Sequence, residues 1–192
     1  MRQLYFLVLL LMMFSCKQVT NTTNTVRDSA HSSENLVVTN EKPLESAAFR
    51  EFTLIRGGIK LRLRDWKNTI NLEKLGVPTD TSSTILGEGA DTHRGSLVKN
   101  YSYKDIRLRF FGPPGGKDLW LLNMEVTGPD WETAREIRVG DDLNRLKERY
   151  PKATNQFSGD KKIYRFAEFE GVIEFVLKEE KISMIQVRYE IP

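Results

Sequence analysis

Side chains able to do chemistry are sparse in this 192-residue chain, which holds one cysteine, Cys16, and two histidines, His31 and His93. His93 stands two residues from Asp91 in a polar stretch. One His and one Asp fall short of the three or four ligands that a metal site needs. His31 lies in another polar stretch, so a Ser–His–Asp hydrolase triad would have to use His93. No Gly-x-Ser-x-Gly turn is present to hold its nucleophile. Gly87-Glu88-Gly89-Ala90 and Gly115-Gly116-Lys117-Asp118 are glycine-rich, but neither has the Gly-x-x-x-x-Gly-Lys-Ser/Thr spacing that cradles phosphates. Asp141-Asp142 reads as a helix start and Glu179-Glu180 as a turn, and nothing in their spacing supports a glycosidase pair. The expectation is a protein with no cofactor, no metal and no enzymatic activity.

One pattern does suggest recognition. Lys60, Arg62 and Arg64 share one face of an alternating strand, and Arg107 and Arg109 share one face of another. If both strands lie in one sheet, five cations gather on its wet side and suit an anionic partner: an acidic protein surface, lipid headgroups or a glycan. The competing reading pairs them across strands with Glu125, Glu174 or Glu190. The net charge is only +3, too small to imply a nucleic-acid partner without a strongly clustered patch. Trp66, Trp120 and Trp131 read as core or core-edge residues.

Cys16 is the residue with the clearest assignment. Arg2 supplies a positive start, and Leu4 to Phe14 is an unbroken apolar run of 11 residues. A membrane-spanning helix needs about 20, so the run fits the core of a signal peptide over residues 1–15. The run stops at Ser15-Cys16-Lys17, which resembles a bacterial lipobox. That resemblance implies lipidation of the Cys16 thiol with acyl chains of the palmitate type and cleavage before it. With Lys17 rather than Asp behind the cysteine, resemblance to enterobacterial sorting implies the outer membrane. A lone cysteine cannot form an internal disulfide, so the fold must stand on its core alone.

Residues 16–47 form the next segment. It is rich in Thr, Asn and Ser, as in Thr20-Asn21-Thr22-Thr23-Asn24-Thr25, and its sparse apolar residues show no period. Such a composition cannot bury enough surface to offset the entropy of ordering. It is expected to act as a disordered, lipid-anchored tether with a reach of about 30 Å.

Regular structure is expected from residue 48 onward. Phe52 to Ile55 and Ile59 to Arg64 read as strands around Gly57-Gly58. Asp65 to Leu75 reads as a short helix closed by Gly76 and Pro78, and Thr79 to Gly95 as a polar loop. Lys99 to Tyr103, Ile106 to Phe110 and Leu119 to Val126 read as strands. After Gly128-Pro129, Asp141 or Asp142 caps a helix carrying Leu143, Leu146 and Tyr150 on one face, ended by Pro151. Ile163 to Phe169, Val172 to Lys178 and Ile182 to Ile191 follow as strands. The expected fold is α+β, an antiparallel sheet with short helices on one face. Its halves, 48–128 and 129–192, share one order, and they read either as a tandem duplication of a helix-then-sheet unit or as one joint domain.

This pattern over residues 53–191 resembles two exported families. One is the beta-lactamase inhibitor protein, built from tandem helix-then-sheet repeats; the other is the SmpA/OmlA type of small outer-membrane lipoprotein. Leu75-Gly76-Val77-Pro78 carries the likeness, echoed by Val139-Gly140-Asp141 before the second helix. The resemblance implies a non-enzymatic binding role and transfers no site residue. The expected protein is a lipoprotein of the bacterial cell envelope, held at the membrane by acylated Cys16, whose tethered domain binds another envelope protein as an inhibitor, assembly or accessory factor. The alternative is a module for glycans or lipid headgroups, and a hydrolase has no constellation in its favour.

Overall fold

The computed structural model describes residues 49–87, 89 and 93–190. The expected signal peptide, Cys16 and the tether lie outside the described residues.

Eleven strands and a single α-helix make up the regular structure of the described residues, with two short 3-10 turns. The strands are β1 (Thr53–Arg56), β2 (Ile59–Arg62), β3 (Asp80–Ile85), β4 (Leu97–Ser102), β5 (Ile106–Gly112), β6 (Trp120–Val126), β7 (Glu132–Thr133), β8 (Thr154–Ser158), β9 (Lys161–Glu168), β10 (Gly171–Lys178) and β11 (Lys181–Tyr189). The helix, α1, runs Leu143–Arg149. Two sheets form, one of three strands in the order β2-β1-β7 and one of eight in the order β3-β4-β5-β6-β11-β10-β9-β8. The larger sheet consists of two antiparallel four-stranded meanders, β3 to β6 and β8 to β11, joined through their last strands.

Alternation builds the larger sheet. In β5, Ile106, Leu108 and Phe110 are buried while Arg107 and Arg109 are exposed. The register carries the buried row to Met124 and Val126 of β6, then to Ile185 and Val187 of β11 and to Ile173 and Phe175 of β10. This inner face shares one core with Leu54 and Leu61 of the smaller sheet, with Leu63 and Trp131, and with Leu143, Leu146 and Tyr150 of the α1 region. Each fully buried aliphatic or aromatic side chain of that core contributes about 1.5–3 kcal/mol of transfer free energy.

The α+β expectation is overturned. The domain is predominantly β, and a three-stranded sheet takes a large share of the cover that helices were expected to supply. The expected helix at Asp65 to Leu75 is two 3-10 turns, Lys67–Thr69 and Leu72–Leu75. The backbone just after β2 is engaged elsewhere: Arg64 N donates to Leu121 O at 2.8 Å, Lys67 N to Leu119 O at 2.7 Å, and Leu121 N to Asp65 O at 2.9 Å. Those bonds tie residues 64–67 to the start of β6, with Trp66 extended, and take the backbone out of a first helical turn. The stretch Thr79 to Gly95, read as a polar loop, contains the edge strand β3, and the other edge strand, β8, lies between Pro151 and Ile163, where no strand was expected.

Candidate functional site

The outer face of the eight-stranded sheet is polar across its middle strands. Side chains that alternate with the core row point there: Arg107 and Arg109 of β5, Asn123 and Glu125 of β6, Gln186 and Arg188 of β11, Glu174 of β10 and Arg165 of β9. The apolar members on this side, Phe111, Val172 and Val176, are buried yet stand outside the main core cluster. Phe111 packs against the His93 and Trp120 rings.

The charges on this face are mostly paired. Arg107 Nη1 donates to Glu125 Oε1 directly across the strands at 2.9 Å. Arg188 Nη2 donates to Glu174 Oε1 at 2.8 Å, and Arg188 Nη1 lies 3.1 Å from Glu190 Oε1. Arg165 Nη2 donates to Glu190, and its Nε lies 3.8 Å from Glu174. The hydrogen bond to Glu174, more than any other influence, raises the Arg188 pKa above its ordinary value and keeps the guanidinium charged.

Beside this network lies a pocket of about 270 Å³, lined chiefly by Ser82, Asn100, Arg107, Arg109, Asn123 and Glu125. Arg109 Nε donates to Asn100 Oδ1 at 3.0 Å, and Asn100 Nδ2 donates to the Ser82 hydroxyl at 3.0 Å. The Asn123 side-chain oxygen is buried with no hydrogen-bond partner. Donors, acceptors and one carboxylate therefore converge on a wall whose amide oxygen still has bonding capacity.

The five expected cations do not form one patch. Lys60 and Arg62 belong to β2 of the smaller sheet, whereas Arg107 and Arg109 belong to β5 of the larger one. Leu61 and Leu63 alternate with the first group and Ile106, Leu108 and Phe110 with the second, and all are buried in one core, so the two groups lie on opposite sides of it. Arg62 donates twice to Asp65 Oδ1, at 3.1 and 2.9 Å. Arg64 has a positive φ of 66° and lies 5.3 to 5.7 Å from the rings of Tyr189, Phe49 and Trp120. Of the carboxylates proposed as cross-strand partners, Glu125 pairs with Arg107, while Glu174 and Glu190 serve Arg165 and Arg188.

The remaining candidates take structural places. His93 packs edge-on against Phe111 at 5.2 Å. Asp142 accepts from Arg145 N at 2.9 Å as the α1 cap, and Asp141 accepts from Arg138 N at 2.8 Å. Glu179 and Glu180 form the β10–β11 turn with φ of 53° and 59°. Trp131 is fully buried, Trp120 is half-buried and Trp66 is exposed. Asn100, Asn123, Arg165 and Arg188 were missed from sequence. Their signal was the same alternation that marked Arg107 and Arg109, interrupted in β5–β6 by a register shift at Arg109/Phe110.

No family model, curated protein or solved structure matches this chain.

Proposed function

We propose that this chain is an exported, lipid-anchored binding module whose outer sheet face recognises another protein of the bacterial envelope. The observation that carries this reading is the face itself: a row of paired Arg and Glu side chains crossing β9, β10 and β11, continued by the Arg109–Asn100–Asn123 pocket on β4 to β6. Alternating charges over several strands suit a broad protein surface, because complementary potentials set orientation and reject wrong partners. The lone Cys16 after an apolar run supports export and anchoring. Membrane attachment then runs through the acyl group, leaving the sheet face to the partner.

The test compares envelope complexes isolated with the wild-type chain and with the Arg109→Glu, Arg188→Glu variant. One protein recovered in stoichiometric amount with the wild type and lost with the variant supports the reading. Binding to a defined glycan with no protein recovered favours the carbohydrate alternative. Equal recovery with both chains removes the outer face from consideration. Mass spectrometry of the mature chain checks the anchor, which predicts an acylated Cys16 as its first residue.

A further inference from the structure

The end of the large sheet where β5 finishes and β6 begins carries a second group of features that the outer face does not use. A pocket of about 200 Å³ there is lined by Trp66, Lys67, Leu97, Lys99, Lys117 and Asp118, among others. Lys67 Nζ and Lys99 Nζ lie 5.7 and 5.6 Å from the same Tyr101 ring. Among the described residues, none of the three lysines is ion-paired, whereas Arg64, at the same end, pairs with Glu170. Three lysines and a single carboxylate line this small pocket, so its charge is net positive and suits an anion.

Aromatic side chains surround the same end. Trp66 is 38% exposed and Phe169 is 78% exposed. Phe169 sits at the tip of the β9–β10 turn with a φ of 53°, a conformation that is costly for an aromatic residue, and its side chain is exposed. Behind them, Phe111, Trp120, Tyr189 and Phe49 form a chain of ring contacts at 5.5, 5.5 and 6.4 Å. Phe49, the first residue of the described domain, packs against Tyr189 at this end.

We propose that this end docks on the phospholipid surface, with Lys67, Lys99 and Lys117 taking lipid phosphates while Trp66 and Phe169 sit at headgroup level. The proposal rests on the lipid-anchor reading and deepens it: the acyl group holds the domain near the membrane, and this end carries cationic and aromatic groups that suit it. Lysines above, with Trp and Phe at the boundary, match the chemistry of a bilayer interface. The outer sheet face then stays clear for its partner.

The experiment uses the full acylated chain on vesicles of phosphatidylethanolamine and phosphatidylglycerol containing brominated lipid, with tryptophan quenching as the readout. The expected result is quenching that falls sharply in Trp66→Phe and weakens as salt screens the phosphate contacts. Replacing Lys67, Lys99 and Lys117 by Gln lowers the docking equilibrium about a hundredfold, at about fivefold per lysine. The same replacement of Lys104, Lys178 and Lys181, at the opposite end of the sheet, leaves docking unchanged. A chain that stays on the vesicles but is not quenched keeps its anchor and overturns docking. A chain that does not associate overturns both. Quenching lost equally in the two triple variants, or inorganic phosphate bound at the pocket without any vesicle docking, also overturns the proposal.

Discussion

Arg109 and Asn123 face each other across β5 and β6, and the arginine is bonded to Asn100 while the Asn123 side-chain oxygen is buried without a partner. An unsatisfied buried polar atom costs about 1–3 kcal/mol, so removing it should not weaken the fold, and on the proposed function the partner is the group that would satisfy it. Asn123→Ala is therefore expected to melt at or above the wild-type temperature while binding the partner at least tenfold more weakly. Denaturant melts and partner titration check the two halves separately. A variant that loses stability as well makes Asn123 a packing residue.

The seam between the two sheets gives a second expectation. Gly171 is buried at the start of β10, and a Cβ there would collide with the Phe52 ring, itself fully buried beside β1. Gly171→Ala should cost about 1–3 kcal/mol through overpacking. Phe52→Leu opens space at the same point, so the double variant should be more stable than the sum of the single losses allows. Additive losses would show that Phe52 and Gly171 do not share this space. Chemical denaturation of the four chains measures the coupling.

Asp142 tests α1. Its carboxylate accepts from Arg145 N at 2.9 Å, satisfying an amide that the first turn leaves free. Asp142→Ala should lose about 1 kcal/mol, and Asp142→Asn should retain most of that stability, since both side chains cap well. Thermal melts of the two variants separate capping from net charge: equal losses would assign the effect to charge.

This helix was legible because all its local signals agree: an Asp cap, Leu143 and Leu146 three apart, Tyr150 at the end and Pro151 beyond it. β5, β10 and β11 were legible for a similar reason, since they lie in the middle of a sheet with a clear register of buried side chains. β3 and β8 were not. Every residue of both is exposed, so edge position removes the burial contrast that sequence alternation reports. The 3-10 segment was misread because its decisive bonds run from residues 64–67 to Leu119 and Leu121, more than fifty positions away. The Arg107 and Arg109 pair was visible in the sequence, but its separation from Lys60 and Arg62 depended on sheet membership. The lysine pocket was invisible for the same reason, since Lys67, Lys99 and Lys117 come from three separate segments.

Tyr150 supplies an alkaline signature. Its ring packs against Phe166 and Phe175 at 5.2 and 4.9 Å, and burial pushes its hydroxyl pKa up to about 12 from an ordinary 10.0. Below pH 10 the group is protonated in both the folded and the unfolded chain, and its contribution is constant. Between pH 10 and 12 the unfolded chain releases the proton while the folded chain keeps it. The unfolded state then binds fewer protons, so stability falls as pH rises through this window, by roughly 2–3 kcal/mol. Tyr150→Phe keeps the ring and removes the titrating group. Its stability relative to wild type should be unchanged from pH 7 to about 9.5 and should climb steadily above that. Paired urea titrations at pH 7, 9, 10 and 11 measure the difference directly, and a difference that stays flat across the series would show that the hydroxyl ionises without leaving its packed site.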